Sequence, residues 1–560
     1  MSCLIAAPCS GSGKTLLSLC LAAELRRRDV ALQPFKVGPD YLDPQLLSTV
    51  AGRACRNLDP LLCGEEWVRR CFHWHAGRAE AALVEGVMGL FDGRGPSPDG
   101  SSAAVASLLD LPVVLVVEAS RQAGSLAALV RGFRDHGPPA VRLAGVVLNR
   151  VGSERHHRLL AEALDSIAVP LLGTLPSDPC LELPSRHLGL VPAHELADLP
   201  ERQRSWSALA RRHLDLKRLL PLLAAPAATT SATDPILWCL GQARPLPPPH
   251  DAPQDAEAGS GRDGLRRPNL GVPAAAASGP AASRPEAAPG LPTAAATAAG
   301  GWPAGSGTSS PAEPLPVAVA DDAAFHFRYP EACELLRACG LAPRAWSPLA
   351  DEPLPPDCRA VLLPGGFPEL HAANLAASER SRLSLRAAAL AGVPIVAECG
   401  GLLLLGEQLE DMQGRMQPMA GVLPFQARRG QLSLGYRQAT TLRDGLLLRR
   451  GERLLGHEFH RWQLQPPSAQ PPGSATRAAK DLAVERGLWQ LEGWGLPCHE
   501  EGWTTPTVHA SWLHLHWAGC PVIPRRLAAA SARAVPPRTS GGSSPLRTTV
   551  HPPRSPSAGG

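Results

Sequence analysis

Lysine is nearly missing from this sequence: it occurs only at Lys14, Lys36, Lys217 and Lys480, although lysine and arginine together number 55. A chain that avoids lysine yet keeps it in two early motifs needs a compact ammonium there. Tyrosine is equally rare, at three residues, and aromatics make up 4%. The net charge is only +4, and no basic stripe is interleaved with aromatics, so nucleic acid is excluded as an expected partner. No window holds eighteen uninterrupted apolar residues, and no membrane span is expected. The fourteen cysteines contain no C-x-x-C pair, which disfavours zinc ribbons and thioredoxin-like sites. The N-terminal MSCLIAAPCSGSGKT has no basic n-region and reads as a first strand. A reducing cytoplasm with free, mostly buried thiols is the matching expectation.

What is present is an alternation. The runs 4–8, 31–37, 81–87, 111–120 and 143–151 are β-branched or leucine-rich and mostly apolar, and stretches such as 15–28 and 154–166 have helical spacing with charged ends. Strands buried on both faces and separated by helices predict a doubly wound, largely parallel sheet. Residues 221–314 are rich in alanine, proline, glycine and serine, as is a tail over 526–560. Such composition cannot repay its ordering entropy by burial, so a disordered linker and tail are expected. Residues 315–525 again contain strand-then-turn units, RAVLLPGG and VPIVAECGG. The expected architecture is therefore two α/β domains, 1–220 and 315–525, joined by the linker.

APCSGSGKT (7–15) lies between a strand and a helix, where a phosphate-binding loop belongs. Gly11 and Gly13 let backbone N–H groups turn toward an anion, Lys14 adds charge, and the Thr15 hydroxyl can hold Mg²⁺. Pro8 stands where the first glycine of such loops usually stands. KVGPDYLDP (36–44) carries Asp40 and Asp43, and VEGVMGLFDGR (84–94) carries Glu85 and Asp92. Both follow strands, and open α/β sheets bind ligands at the carboxyl ends of their strands, so these carboxylates are candidates for an ATP–Mg²⁺ site.

AECGG (397–401) ends a strand with Cys399 followed at once by two glycines. A sharp turn that projects a nucleophile requires such small neighbours. The N–H groups of Gly366 in LLPGGFPE and of Gly400 are candidate oxyanion donors. HASWLHLHW (509–517) alternates, which predicts a strand with Leu513, Leu515 and Trp517 on one face and His514 and His516 on the other. His514 is the candidate base for Cys399. A zinc site from His457 and His460 of GHEFH with the H-L-H pair is the lesser reading, since neither a cysteine pair nor an HExxH supports it.

Taken together, FKVGPDYLDP, GRACRNLDP, VEGVMGLFDG, LPSRHLGLVPAHE, LPGGFPEL, AECGG, LGYR, GHEFH and HASWLHLHW, in that order, resemble the cobyrinic acid a,c-diamide synthase family. That resemblance implies a dethiobiotin-synthetase-like ATP domain and a class I glutamine amidotransferase domain. Glutamine would be hydrolysed at the cysteine, and its ammonia would attack a corrinoid carboxylate activated by ATP. Lys14, Thr15, Asp40 and Glu85 would then serve nucleotide and Mg²⁺, with Asn149 near the adenine. Tyr41, Leu42 and Asp43 would border the macrocycle, and Asp92 would sit by the reacting carboxylate. The chain departs from the family at Leu47, where histidine is usual, at Glu118, where aspartate is usual, and at His516, where related glutaminases place a glutamate. Hydrogenobyrinic acid or nickel sirohydrochlorin as the substrate, a non-catalytic scaffold, and a homodimer all remain open from the sequence.

Overall fold

The apolar runs of the first half become a seven-stranded parallel sheet in the computed structural model. It describes residues 2–177, 192–227 apart from 197, 233–241, 313–466 and 485–535, with the backbone of 185–186 and 189–190. The strands are β1 (Cys3–Ala6), β2 (Leu32–Val37), β3 (Arg56–Leu58), β4 (Ala81–Glu85), β5 (Val113–Glu118), β6 (Leu143–Val151) and β7 (Leu171–Pro176), in the order β3-β2-β4-β1-β5-β6-β7. Every residue of β1, β2 and β4 is buried. Helices cover both faces, which is why these strands carry no polar alternation. Helix α1 (Lys14–Arg27) starts directly after the glycine-rich loop, and α2 (Leu42–Ala51) starts after β2. Because β2, β4 and β1 are neighbours, the loops leaving their carboxyl ends converge on one place. A two-residue pair, β8 (Ser185–Arg186) with β9 (Gly189–Leu190), follows. Within the LPSRHLGLVPAHE motif, residues 183–184, 187–188 and 191 lie outside the described residues.

The second half builds an eleven-stranded mixed sheet. Its parallel part joins β10 (Leu315–Ala320), β11 (Leu341–Trp346), β12 (Ala360–Leu363), β13 (Ile395–Glu398) and the late strand β20 (Val508–Ser511), in the order β11-β10-β12-β13-β20. Beyond it the sheet continues largely antiparallel through β14 (Gln408–Glu410), β15 (Met416–Pro418), β16 (Gln426–Thr441), β17 (Arg453–Gln465), β18 (Glu485–Gly493) and β19 (Leu496–Thr504). The doubly wound expectation thus holds for the parallel part, and an antiparallel wing extends it. The wing escaped sequence reading because strands such as β19, exposed over Leu496–Glu500 and buried over Glu501–Thr504, show no constant period.

The two halves share one core. A single apolar cluster contains Trp67 and Cys71 of the first half with Leu513, Leu515 and Trp517 of the second. Arg56 of the GRACRNLDP motif reaches across to Glu331 at 3.1 Å and Glu334 at 2.7 Å. Tyr436 of LGYR donates to Asp59 at 2.9 Å. Two motifs with no evident chemistry are therefore part of the seam.

Three expectations change. The stretch read as linker contains the helix Pro235–Gly241, whose Ile236, Cys239 and Leu240 are buried. Its Cys239 thiol donates to the Ala518 carbonyl at 3.2 Å. One short apolar run, ILWCL, provides the burial that its flanks lack. The stretch read as tail opens inside the helix Val522–Arg533, where Leu527, Ala530 and Ser531 are buried. The remainder of linker and tail, 242–312 and 536–560, lies outside the described residues. Finally, the HASWLHLHW strand ends at Ser511, and His514 makes only an isolated bridge to His457.

Candidate functional site

The nucleotide loop is shaped by its glycines. Gly13 has φ 108°, and a Cβ there would fall 2.3 Å from the Asn149 amide nitrogen. That nitrogen donates to the Ser12 carbonyl at 3.0 Å, so Asn149 braces the loop from the end of β6 as well as lining the cavity in front of it. Gly11, at φ 81°, would meet nothing with an added Cβ and faces open space. Lys14 bends over to the Met88 carbonyl at 2.6 Å. Burial and the neighbouring Lys36 lower its pKa.

An acid cluster surrounds Lys36. Its ammonium lies 2.5 Å from Asp43, 2.9 Å from Glu85 and 3.5 Å from Asp40. The sheet register accounts for the central contact: Lys36 and Glu85 are direct partners across β2 and β4. Thr15 donates its hydroxyl to the same Glu85 oxygen at 2.8 Å, while the other oxygen is buried without a hydrogen-bond partner. Asp40 accepts from the Leu42 amide at 2.9 Å and the Asp43 amide at 3.3 Å, opening α2. Burial, then Asp43, lifts Asp40 to about 7. Burial also lifts Glu85 despite Lys36; at Asp43 burial pushes upward, but Lys36 outweighs it and holds the carboxyl below its usual range. Among the described residues no three His, Cys, Asp or Glu side chains could hold a metal ion unaided. Mg²⁺ asks less, one or two carboxylates completed by phosphates and water, and the hard oxygens of Thr15, Asp40, Asp43 and Glu85 suit it.

A cavity of about 1150 Å³ opens onto this cluster. Gly11, Gly13, Lys14, Thr15, Asp40, Tyr41, Leu42, Asp43, Asp92 and Asn149 all line it, and Glu85 lies fully buried behind. The opposite wall comes from the second half, with Phe327, Tyr436, His457 and Phe459. Asp92 accepts from the Gly89 amide at 2.8 Å, which fixes its loop. Of the departures, Leu47 is fully buried in the core and lies away from the cavity. Glu118 accepts from the Ser120 amide at 3.1 Å, also outside the cavity.

Cys399 stands on a strained turn, φ 48° and ψ −109°, between β13 and the helix Gly400–Leu405. Left-handed φ is costly for a residue with a Cβ and is a recurrent feature of nucleophile turns. The glycine packing is tight, since a Cβ on Gly400 would fall 2.8 Å from the Gly366 nitrogen. A Cβ on Gly365 would fall 2.5 Å from His514 Cε1. Gly365–Gly366 thereby abuts both the cysteine turn and the histidine. Cys399, Gly366 and Gly400 line a second, small pocket of about 20 Å³ with Glu369; His514 lines neither cavity.

The Cys399 thiol donates to the Phe459 carbonyl at 3.6 Å. Burial, with Glu369 second, raises its pKa. Burial pushes His514 down to about 3. Both groups are therefore uncharged at rest, and neither His514 nitrogen has a hydrogen-bond partner. Glu398 lies 3.9 Å from Nδ1 and is itself lifted by burial to about 8. His516 packs on Tyr329 at 4.3 Å and lies 3.7 Å from Glu331, away from His514. His460 stacks on Trp512 at 3.9 Å and binds the Trp462 carbonyl, so GHEFH contributes packing here. Phe327 and Phe459 line both pockets; Phe459 lies in a motif legible beforehand, whereas Phe327 had no sequence signal.

Residues 3–191 match the CobQ/CobB/MinD/ParA nucleotide binding domain, and residues 316–521 match the CobB/CobQ-like glutamine amidotransferase domain. The cobyrinate a,c-diamide synthase of Gloeobacter violaceus is 40% identical over 92% of this chain and 94% of its own. The hydrogenobyrinate a,c-diamide synthase of Streptomyces coelicolor is 41% identical over 93% and 96%. That of Thermobifida fusca is 38% identical over 94% and 96%. With two-fifths of its residues shared along nearly the full length of such relatives, this chain belongs to the cobyrinate and hydrogenobyrinate a,c-diamide synthase family.

Proposed function

We propose that the protein is an amide-forming ligase that uses ATP and glutamine to amidate the a and c side-chain carboxylates of cobyrinic or hydrogenobyrinic acid. One observation carries this reading: a single cavity is walled on one side by the nucleotide loop and acid cluster and on the other by the glutaminase half. In this reading Lys14 and the amides around Gly11 and Gly13 hold the phosphates, and Asn149 keeps that loop in shape. Thr15, Asp40 and Glu85 would hold Mg²⁺, which would supply charge stabilisation for the terminal phosphoryl group. Asp92 sits beside the carboxylate that takes that group, and Tyr41, Leu42 and Asp43 border the macrocycle. The carboxylate becomes an acyl phosphate with loss of ADP, and ammonia then displaces inorganic phosphate to leave the amide.

The ammonia comes from glutamine. His514 takes the Cys399 proton as the sulfur attacks the carboxamide, and the N–H groups of Gly366 and Gly400 receive the developing oxyanion. Loss of ammonia leaves a thioester, which water hydrolyses to glutamate. The relatives carry both substrate names at nearly equal identity, so either corrinoid is compatible with the chain. Incubation of the protein with glutamine, ATP and each corrinoid, followed by mass spectrometry, tests the reading. Two successive amidations, each a loss of about one mass unit as O–H is replaced by N–H₂, are expected. An unchanged mass with every tetrapyrrole offered refutes it.

A further inference from the structure

Ten large apolar side chains stand exposed among the described residues, and three of them, Met88, Leu434 and Trp494, line the same cavity of about 1150 Å³. They come from three separate places: the loop after β4, strand β16, and the turn between β18 and β19. Apolar groups left open to water from both halves of the molecule mark a surface that something else covers. Trp494 is the clearest case. It is 73% exposed, the sole tryptophan in that exposed group, and stands at the tip of a two-residue turn closed by Gly495 at φ 72°. Its ring lies against Gly95, where a Cβ would fall 2.7 Å from Trp494 Cγ; only glycine, here at φ 61°, permits that approach. Arg94 lines the cavity beside it, its guanidinium half-exposed and 4.0 Å from Asp99.

We propose that Trp494, Met88 and Leu434 form an apolar seat for the face of the tetrapyrrole macrocycle, with Arg94 receiving one of its rim carboxylates. The inference rests on the function proposed above and specifies how its substrate is held. The occupant follows from the chemistry of the walls. The phosphates of a nucleotide are served at Lys14 and Thr15, whereas three apolar groups from two domains suit a broad, flat, apolar ligand. A cation at its edge suits a ligand whose rim carries carboxylates. Trp494 also joins the two halves of the cavity, because its turn belongs to the glutaminase half and its ring covers the Gly95 loop of the ATP half.

The test is an equilibrium titration of the full-length protein with cobyrinic and hydrogenobyrinic acids, followed by the visible absorbance of the macrocycle, alongside a titration with ATP. Trp494→Ala is expected to weaken corrinoid binding about tenfold and to raise the corrinoid KM far more than it lowers kcat. Trp494→Phe, which keeps an aromatic face, is expected to recover most of the loss. Equal corrinoid affinity in wild type and Trp494→Ala overturns the seat alone. Weakened ATP binding with unchanged corrinoid binding overturns it too, by assigning the ring to adenine. A wild-type protein that binds neither corrinoid refutes the seat together with the proposed function.

Discussion

The ring of Tyr41 stands 5.1 Å from the ring of His514, centroid to centroid. Tyr41 follows Asp40 of the acid cluster, and His514 is the proposed base of the glutaminase, so this ring contact links the two proposed sites. Tyr41 is further held by Phe327 at 5.2 Å and Tyr329 at 4.7 Å. With neither nitrogen of His514 hydrogen-bonded, ring packing and the His457 backbone bridge hold it in place. Tyr41→Ala is expected to lower glutamine-dependent synthesis at least about tenfold through a mispositioned base. Ammonia-dependent synthesis, measured at saturating corrinoid because Tyr41 also borders the proposed macrocycle site, should fall much less. Comparing rates with glutamine and with ammonium salt checks this; equal losses would place Tyr41 in the synthetase step only.

Cys399→Ser keeps the side-chain volume but replaces a thiol with a hydroxyl, which is less acidic and a weaker nucleophile in the same buried setting. Glutamine hydrolysis should vanish. Synthesis from ammonium salt at alkaline pH should persist, since Lys14, Asp40 and Glu85 are untouched. A folded variant inactive with both nitrogen sources would show that the cysteine serves the synthetase step.

Glu85→Gln keeps the shape of a fully buried side chain and removes its charge. Lys36 then retains only Asp43 and the more distant Asp40 as partners. Amide formation should collapse with glutamine and with ammonia alike, while basal glutaminase activity survives. Near-normal synthesis would remove Glu85 from the metal site.

Within the expected linker, the boundary between dispensable and required chain should fall near residue 241. Deletion of residues 245–305 is expected to preserve ligase activity, because loop-closure cost changes slowly with length. Ile236→Ala, in the buried helix before it, should instead cost about 2 kcal/mol or more of stability. Denaturant midpoints measured on the two variants separate the cases.

Much of the candidate site was legible from residue order. The loop glycines, Lys14 and Thr15 follow a strand and open a helix, and Cys399 with two glycines ends another strand; such motifs are local, so sequence displays them. The strand runs were legible for the same reason, since burial on both faces demands mostly apolar sequence without polar alternation. Two failures have a matching cause. The helix Pro235–Gly241 is too short to show a period, and β20 stops at Ser511 although the alternation continues to Trp517.

What tertiary structure alone decided is adjacency. Lys36 and Glu85 are 49 residues apart, and only the register of β2 against β4 makes them partners. β20 inserts beside β13 and pairs Glu398 with Ser511, so the Cys399 amide donates to the Ser511 carbonyl at 2.7 Å and the HASWLHLHW segment runs next to the cysteine turn. Phe327 and Trp494 carry no local signal at all, because each acquires its meaning from a surface contributed by the other half of the chain. Local chemistry is written in the order of residues. Contacts across strands and domains depend on a free-energy minimum over the whole fold, and no window of sequence contains them.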